Sequence, residues 1–419
     1  MRRKTHRNVT IHKPHPWGTP PWSVDFRPAP RALPDQVDFA VVGGGFSGLS
    51  AAAWLRRLAP GRSVLVLECA SLGDGASGRT GGMALAETAA GKLPGLGDVL
   101  VGYKKVLRAL RIDSRLTLPG VWELSRSFPA TKGSGPVGKH SSPISWSDSG
   151  ELRAVRLVPG GTVDPGKVLA GLAHAAENAG AQIVDHAEVR ALDFSNPLRL
   201  RVRHKLRGRI QQKEIHAKQV LLATNACSLE LSGLHASAEP KLTFALATAP
   251  LSAAQLKAIG LESRRPFYTV DFPYLWGRLL ESNGVIFGAG LVPASGSMPF
   301  RIPTAAYSIK SSAHDLHRYG VWKGQAAERL RWLETRVRHL HPALASVRIT
   351  HRWGGPILFT EKMRPIFRWF APPGHPRSKQ VLVLAGYNGH GVALSVYLGK
   401  WAAQALLARR SLPSWQRSK

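Results

Sequence analysis

A glycine-rich turn between two apolar strands constrains the fold of this chain more than any other feature. Residues 38–68 read DFAVVGGGFSGLSAAAWLRRLAPGRSVLVLE, and the first strand runs into Gly43, Gly45 and Gly48 in GxGxxG spacing. In such a motif the first glycine makes a tight turn, the second lets the backbone approach a pyrophosphate, and the third lets the next helix lie close on the strand. A lone GxGxxG also fits an ordinary glycine-rich turn, so the flanking elements decide between the two interpretations.

The second apolar strand ends on an acidic residue. Residues 63–67 form that strand, and Glu68 follows it, twenty residues past Gly48. A carboxylate at this position accepts hydrogen bonds from both ribose hydroxyls of a dinucleotide and repels a 2′-phosphate. Strand, turn, helix, strand and terminal acid together predict dinucleotide binding and disfavour NADP.

The next segment indicates a long ligand. Residues 71–83 read SLGDGASGRTGGM, with five glycines directly after the acid. Such a run forms a poor core element, because glycine loses the most backbone entropy on ordering and buries no side chain. We expect a backbone track along the ligand, and the alternative is a flexible surface loop.

These segments resemble the FAD-dependent oxidoreductases of the D-amino-acid oxidase (DAO) superfamily. VVGGGFSGLSAAAWL, VLE and GASGRTGG match its N-terminal pattern, and the γ-glutamylputrescine oxidase branch is the most similar. LVLAGYNGHGVALSVYLGK, at 382–400, is similar to its C-terminal flavin motif. Residues 160–184, VLLATNAC at 220–227 and RWGGPILFTEKMRPI at 352–366 resemble its intervening segments, in the same order along the chain.

The resemblance implies an α/β fold (α+β overall). It has a Rossmann-like FAD-binding domain of the DAO/glutathione-reductase type and an antiparallel-sheet substrate domain. We expect a basic N-terminal arm over 1–37, a discontinuous FAD-binding domain over 38–95, 155–238 and 345–410, a substrate domain over 96–154 and 239–344, and a tail over 411–419.

Local patterns add detail to this assignment. Asp164, Pro165 and Gly180 predict the cap, first turn and end of a helix. Apolar residues at helical spacing predict a second helix over 326–340, which ends before Pro342. Residues 181–194, 199–204 and 210–224 are expected to form strands, 240–300 an antiparallel sheet, 129–150 a surface loop, 1–14 a disordered segment, and 15–37 an extended arm.

The resemblance also implies which residues hold FAD. The turn 386–391 and the helix that follows would aim N–H groups and a positive helix end at the flavin pyrimidine edge. Arg79 would meet the phosphates or the flavin, unless it is a solvated arginine. The cofactor-binding residues that we expect are Gly43, Gly45, Phe46, Ser47, Gly48, Glu68, Ser77, Arg79, Gly81, Gly82, Met83, Val189, Thr224, Gly386, Asn388, Gly389, His390, Gly391 and Val392.

Flavin supplies the chemistry in such enzymes, so the protein positions the substrate C–H against flavin N5 and tunes the ring. A hydride would leave an amine, and water would hydrolyse the resulting imine to a carbonyl product. The candidate catalytic residues are His390, Arg364 and Tyr387. The alternative role for His390 is a hydrogen bond to a nearby carbonyl.

The expected substrate follows from a departure from the family pattern. Relatives that oxidise α-amino acids usually carry an arginine after the WGG residues to clamp the carboxylate. Here Pro356 and Ile357 follow Trp353-Gly354-Gly355, which favours an amine without an α-carboxylate. An acidic group further along could use Arg278, Arg352 or Arg364, and Tyr268, Tyr274, Trp276 and Tyr387 would form an aromatic wall or pack in the core.

Two other functions remain open from the sequence. One is an α-amino-acid oxidase or dehydrogenase that uses a different arginine. The other is a flavin-binding protein without turnover that docks an acidic partner. The sequence does not distinguish oxygen from a quinone as the electron acceptor.

The charge is unusually basic, since 57 Lys and Arg against 26 Asp and Glu give a formal net charge of +31. The basic residues are spread along the chain, and in RLRVRHK (199–205) they alternate with Leu200 and Val202, as on a strand with one solvated face. No nucleic-acid-binding motif accompanies them. We expect no specific nucleic-acid partner and at most weak binding to anionic surfaces. With neither a secretory signal nor a transmembrane stretch in the sequence, we expect a cytoplasmic protein.

Overall fold

The computed structural model of the chain describes residues 15–126, 144–234, 237–289, 320–371 and 379–416. The disordered segment expected over 1–14, most of the loop expected over 129–150, and the end of the sheet expected over 240–300 lie outside these residues.

The described residues contain strands and helices in alternating groups. The strands are β1 Gln36–Val42, β2 Val64–Leu67, β3 Met83–Leu85, β4 Val121–Ser125, β5 Ser145–Ser147, β6 Glu151–Val158, β7 Gly160–Thr162, β8 Gln182–Val184, β9 Ala187–Asp193, β10 Leu198–Leu206, β11 Arg209–Leu222, β12 Ala238–Thr248, β13 Phe267–Thr269, β14 Trp276–Leu279, β15 Val285–Ala289, β16 Ile349–Thr360, β17 Ile366–Phe370 and β18 Val381–Ala385. The helices are α1 Phe46–Leu58, α2 Ala76–Arg79, α3 Val99–Ala109, α4 Pro165–Asn178, α5 Leu229–Ser232, α6 Ala253–Ala258, α7 Gly324–Leu340 and α8 Gly391–Leu406.

The first sheet has the order β17-β18-β11-β1-β2-β8, and β10 and β9 extend it from β11. β18, β11, β1, β2 and β8 run parallel, whereas β17, β10 and β9 join by antiparallel pairing. Because parallel strands end at the same edge, the residues that follow β1, β2, β11 and β18 lie at one edge of the sheet. In open parallel sheets this edge is where ligands bind.

Helix α1 lies against this sheet and packs against both α4 and α8. Its Ser50 hydroxyl donates to the carbonyl of Val396 in α8 over 2.7 Å. α4 begins as predicted, since the Asp164 carboxylate accepts from the Lys167 N–H at 2.9 Å and Pro165 is its first residue.

The second sheet has the order β16-β12-β15-β14-β13-β4-β6-β5 and is antiparallel except between β13 and β4. One face packs on α7 and contributes Trp122, Leu246, Phe267 and Phe287 to the core. Side chains alternate along strands, so the opposite face carries Glu123, Ala245, Tyr268, Trp276 and Trp353. This second face lies against the track that follows β2, where the Trp353 Nε1–H donates to the Arg79 carbonyl over 3.0 Å.

The predicted fold class is confirmed. The 326–340 helix is also confirmed, because Ala326, Leu330, Leu333, Val337 and Leu340 are all buried. In β10, Leu200 and Val202 are buried whereas the alternating Arg199, Arg201 and Arg203 are partly or fully exposed, as predicted.

Three details of the organisation differ from expectation. β6 crosses the boundary expected at 155 but belongs wholly to the second sheet, and β16 joins the second sheet rather than the cofactor segments around it. Apolar composition identifies a buried strand but not its hydrogen-bonding partners, which explains both differences. The expected 129–150 loop ends in β5, where Trp146 is buried.

Across the described part of the chain, no helix combines the length and the apolar character needed to cross a bilayer.

Candidate functional site

The turn after β1 is built for glycine. Gly43 has φ +107°, and a Cβ there would lie 2.6 Å from the Ala223 carbonyl oxygen. A Cβ on Gly48 would lie only 2.0 Å from the Gly43 carbonyl oxygen. The backbone after β1 therefore passes tightly between α1 and the end of β11, with Thr224 directly beside it, as the GxGxxG spacing predicted.

Glu68 lies at the end of β2 and faces this turn. Its Oε2 accepts from the Gly44 N–H at 2.8 Å and its Oε1 accepts from the Ala70 N–H at 3.1 Å. Burial raises the pKa of Glu68 above its ordinary value, and the two N–H donors oppose that rise. The carboxylate thus stands beside the glycine-rich turn, in the position expected for an acceptor of ribose hydrogen bonds.

The track that follows reaches the start of α1 through Ser77. Its hydroxyl accepts from the Phe46 N–H at 2.9 Å, so the track touches the first turn of the helix. Trp22, from the N-terminal arm, donates its Nε1–H to the Gly78 carbonyl over 2.7 Å. The arm and the cofactor turn therefore lie on the same short stretch of track.

Gly81, Gly82 and Met83 lead the track from the second sheet into β3. A Cβ on Gly81 would meet the Trp276 ring at 2.1 Å, so the track lies directly on the second sheet. Met83 begins β3, which pairs with β7 at Thr162 and packs against α8.

The C-terminal turn closes the same edge of the sheet. β18 ends at Ala385, and the Gly386 N–H donates over 3.0 Å to Oδ1 of Asn225, which follows β11. Asn388 adopts φ +52° and its Oδ1 accepts from the Thr360 N–H at 2.8 Å. α8 begins at Gly391, one residue earlier than we expected.

The starts of α1 and α8 share a property that suits an anionic ligand. Neither has a side-chain cap from its own N-cap residue or an acidic residue in its first turn, and among the described residues only the Phe46 N–H of α1 is taken, by the Ser77 hydroxyl. By contrast, α3 and α4 are capped by Asp98 and Asp164. Uncapped helix starts leave N–H donors and positive dipole ends available, which is the arrangement that binds phosphate and stabilises a developing negative charge.

A sequence profile of the family described as "DAO: FAD dependent oxidoreductase" matches residues 38–405. The chain belongs to this DAO family. Its cofactor is FAD, and the site fits that cofactor: the turn requires glycine, Glu68 faces it, and two helix starts are uncapped. The predicted identification as an FAD-dependent oxidoreductase is confirmed.

Individual relatives agree with the DAO assignment. The probable oxidoreductase OrdL of Haemophilus influenzae is 25% identical over 429 residues, covering 91% of this chain and 86% of the relative. The gamma-glutamylputrescine oxidoreductase of Escherichia coli is 24% identical over 407 residues, covering 88% and 83%. The crystal structure of glycine oxidase from Geobacillus kaustophilus superposes with a TM-score of 0.62 at 20% identity, covering 90% and 96%, which shows a shared fold.

The structure gives Arg79 a different role from the one expected. Its Nε donates to the Asp74 carbonyl over 2.9 Å, and Nη1 donates to the carbonyl of Gly18 over 2.9 Å and to those of Trp17 and Gly354 over 3.3 Å each. The guanidinium is therefore occupied in holding the arm and β16 to the track. It is not a solvated arginine, and its contact with the cofactor stays a prediction.

Tyr387 is likewise not placed as a catalytic residue would be. Its side chain is buried in the core, and its hydroxyl lies 2.5 Å from the Ser47 hydroxyl of α1. Burial raises its pKa far above the ordinary tyrosine value. The pair joins the C-terminal turn to α1, so this placement speaks against catalysis by Tyr387 and against its place in a substrate wall.

His390 shows the alternative role that the sequence left open. Its Nδ1 lies 3.3 Å from the Asn388 carbonyl, and the half-buried ring precedes α8. Burial lowers its pKa below the ordinary histidine value, while the Asn388 carbonyl and, through its charge, Glu87 oppose that fall. The imidazole is therefore neutral at pH 7, which suits a positioning group better than a charged one.

The other residues predicted for cofactor binding or catalysis lie in the core, on the surface or at the site. Val189 is buried in β9 beside Val202, and Val392 is buried in the first turn of α8. Arg364 is exposed in the turn between β16 and β17. This exposure does not support a catalytic role for Arg364.

Sequence reasoning missed two residues that shape the site. Asn225 joins the ends of β11 and β18 and lies inside the VLLATNAC motif, so its position was a usable signal. Trp22 lies in a proline-rich arm without periodicity, and nothing in the local sequence indicates that it reaches the track.

Proposed function

We propose that this protein oxidises the C–N bond of an amine whose reacting carbon bears no carboxylate. The observation that carries the proposal is the position of Ile357. A Cβ on Gly389 would lie 3.5 Å from Ile357 Cδ1, so this apolar side chain faces the turn that precedes α8. Placing an α-carboxylate there without a cation or donors would be costly, because a buried charge needs a partner.

The residues of the chain would hold the reactants in the following way. The 43–48 turn and the start of α1 would hold the pyrophosphate, Glu68 would hold the ribose, and the start of α8 would lie at the pyrimidine edge. FAD bound in this way supplies the acceptor for the hydride that leaves the substrate carbon. The neutral amine is the reactive form, because its lone pair forms the C=N bond as the C–H bond breaks. Water then adds to the imine and gives a carbonyl product and ammonia or a smaller amine.

One of the relatives described above supports this substrate class. The Escherichia coli relative is named for gamma-glutamylputrescine, a compound of the kind proposed here. The glycine oxidase neighbour supports the second candidate, oxidation of an α-amino acid. That candidate requires another arginine near the track, and the buried Arg278 is the residue that would fill the role.

Anaerobic reduction of the bound FAD tests the proposal. We expect primary and secondary amines, including γ-glutamylated polyamines, to bleach the flavin absorbance faster than glycine, proline or D-amino acids do. Faster bleaching by any of these amino acids than by every amine would overturn the substrate class. No bleaching by any compound would indicate a flavin-binding protein without turnover.

A matched pair of variants tests the role of Ile357 directly. Ile357→Arg places a cation where amino-acid-oxidising relatives carry one, and we expect the preference to shift towards α-amino acids. Ile357→Leu keeps an apolar side chain and should keep the preference for amines. Bound FAD and a cooperative unfolding transition confirm that both variants are folded.

A further inference from the structure

We propose that Arg278 is an anion anchor that binds an acidic group carried by the substrate at a distance from the reacting carbon. This inference rests on the proposed amine oxidation and adds a requirement to it. The substrate would be an amine that also carries a carboxylate or a similar anion.

Arg278 projects from β14 towards the cofactor track. Trp276 and Arg278 share one face of the strand, whereas Leu279 on the other face packs in the large core cluster. The Arg278 Nε–H donates to the carbonyl oxygen of Gly81. The guanidinium therefore lies against the part of the track that we expect beside the flavin ring.

Arg278 is buried without an ion-pair partner within the described residues, and Asp164 and Glu281 act on it only through longer-range charge interactions. Its relative exposure is 7%, yet no described carboxylate forms an ion pair with it. Burial lowers its pKa to about 10, so it still carries its charge at pH 7. A buried cation without a partner is costly, and an anionic ligand would supply the missing partner.

The guanidinium also keeps unused donors. Within the described residues its Nη atoms make no hydrogen bond, and neither is among the buried atoms that lack a partner, so both reach solvent-accessible space. The centroid of the Trp22 ring lies 5.8 Å from the guanidinium carbon. This contact restricts the orientation of the guanidinium plane and uses none of its hydrogen-bond donors. Two free Nη groups in a fixed plane match the geometry of a carboxylate.

The other arginines that the sequence offered for this role are placed differently. Arg352 lies on the opposite face of the second sheet and pairs with Glu334 of α7, with Nε at 2.9 Å from Oε2. Arg364 is exposed in a turn. Arg79 is occupied by four carbonyl oxygens. Among these, Arg278 alone combines burial, a free fork of donors and contact with the track.

The test compares a carboxylate with its neutral amide on the FAD-loaded protein. Butyrate and butyramide share one skeleton and carry no oxidisable amine, so isothermal titration calorimetry measures binding apart from turnover. We expect the wild type to bind butyrate about 100-fold more tightly than butyramide, as for a desolvated charge pair. Arg278→Met should remove that preference, Arg278→Lys should retain part of it, and Arg352→Met should leave it unchanged.

Two results would overturn the anchor: equal binding of butyrate and butyramide by the wild type, or an unchanged preference in Arg278→Met. If Arg278→Met does not fold, the ratio of butyrate to butyramide affinity in the wild type shows whether an anion site exists. A smaller ratio in Arg278→Lys then assigns that site to Arg278.

Anaerobic reduction by γ-aminobutyrate and γ-aminobutyramide separates the two proposals. If neither amine reduces the flavin while butyrate still binds through Arg278, amine oxidation fails and the anchor stands. If both reduce it equally well and butyrate does not bind, the anchor fails and amine oxidation stands.

Discussion

The Nη2 of Arg336 donates to Oδ2 of Asp148 over 2.6 Å, and the two side chains keep only 5% and 3% of their surface exposed. Arg126 pairs with the same carboxylate oxygen and also with Asp271. Arg336 further donates to the Pro273 and Tyr274 carbonyls over 2.7 Å and 2.8 Å. This network fixes the 271–275 loop, which leads directly into Trp276 and Arg278 on β14.

Asp148→Asn should destabilise the protein strongly. The change leaves the buried Arg336 without its carboxylate partner and Arg126 with Asp271 alone, and breaking such a buried pair costs about 3–5 kcal/mol. Asp193→Asn is a matched control, because Asp193 also pairs with two arginines, Arg199 and Arg201, but is 32% exposed. We expect a loss of about 1 kcal/mol or less there. Urea unfolding of both variants checks this, and equal losses would contradict the importance of burial.

This network also shows which contacts cannot be predicted from the sequence. Asp148 was expected in a surface loop, since its neighbours are serine and glycine. Its partners Arg126 and Arg336 lie 22 and 188 residues away in the chain. No local pattern carries information about a contact at such a separation. The same reason explains the unexpected placements of Arg79 and Tyr387, whose partners come from distant segments.

The cofactor side was more predictable, because its signals are local. The turn at 43–48, the acid at Glu68 and the helix cap at Asp164 each depend on residues within one strand–turn–helix unit. The substrate side that we propose draws on β14, β16 and the N-terminal arm, which are far apart in sequence. The sequence therefore could not rank Arg278, Arg352 and Arg364 as candidates for binding an acidic group. The fold distinguishes them by burial and by contact with the track.

Gly48→Ala should disrupt the cofactor turn. Its new Cβ would lie 2.0 Å from the Gly43 carbonyl oxygen, so α1 would have to move away from β1. We expect a loss of bound FAD and a lower melting temperature. Gly61→Ala is the control, because a Cβ there meets nothing within 4 Å, and it should be neutral or stabilise by up to about 1 kcal/mol. Full FAD content in Gly48→Ala would show that the tight approach is not required.

Glu68→Ala should weaken FAD binding by removing the acceptor for the ribose. Each hydrogen bond to a charged group contributes about 1.5–3 kcal/mol, so we expect at least a tenfold rise in the Kd for FAD. Fluorescence titration of the apoprotein with FAD measures it. Glu68→Gln keeps an acceptor for the Gly44 N–H and should fall between the wild type and Glu68→Ala. An unchanged Kd in both variants would place the ribose elsewhere.

Arg79→Met should release the N-terminal arm from the track. Losing Arg79 leaves the Gly18 and Asp74 carbonyls without this donor, and unsatisfied buried groups cost about 1–3 kcal/mol each. We expect faster amide hydrogen exchange over residues 15–26 and no change in α6. Arg79→Lys keeps the charge but not the planar fork, so it should give an intermediate result. Exchange that is unchanged in Arg79→Met would mean that other contacts hold the arm.

The rate of flavin reduction should rise with pH and follow the substrate rather than the protein. Only the free amine can release a hydride, so the midpoint should match the pKa of each amine tested. His390 is a protein group beside the C-terminal turn that could add its own titration, but burial lowers its pKa below the ordinary value of about 6.5, so it stays neutral as the pH rises above 7. His390→Asn should therefore change the rate without moving the midpoint. Stopped-flow reduction with two amines of different pKa measures both effects. A midpoint shared by the two amines, or one that moves in His390→Asn, would assign the titration to the protein instead.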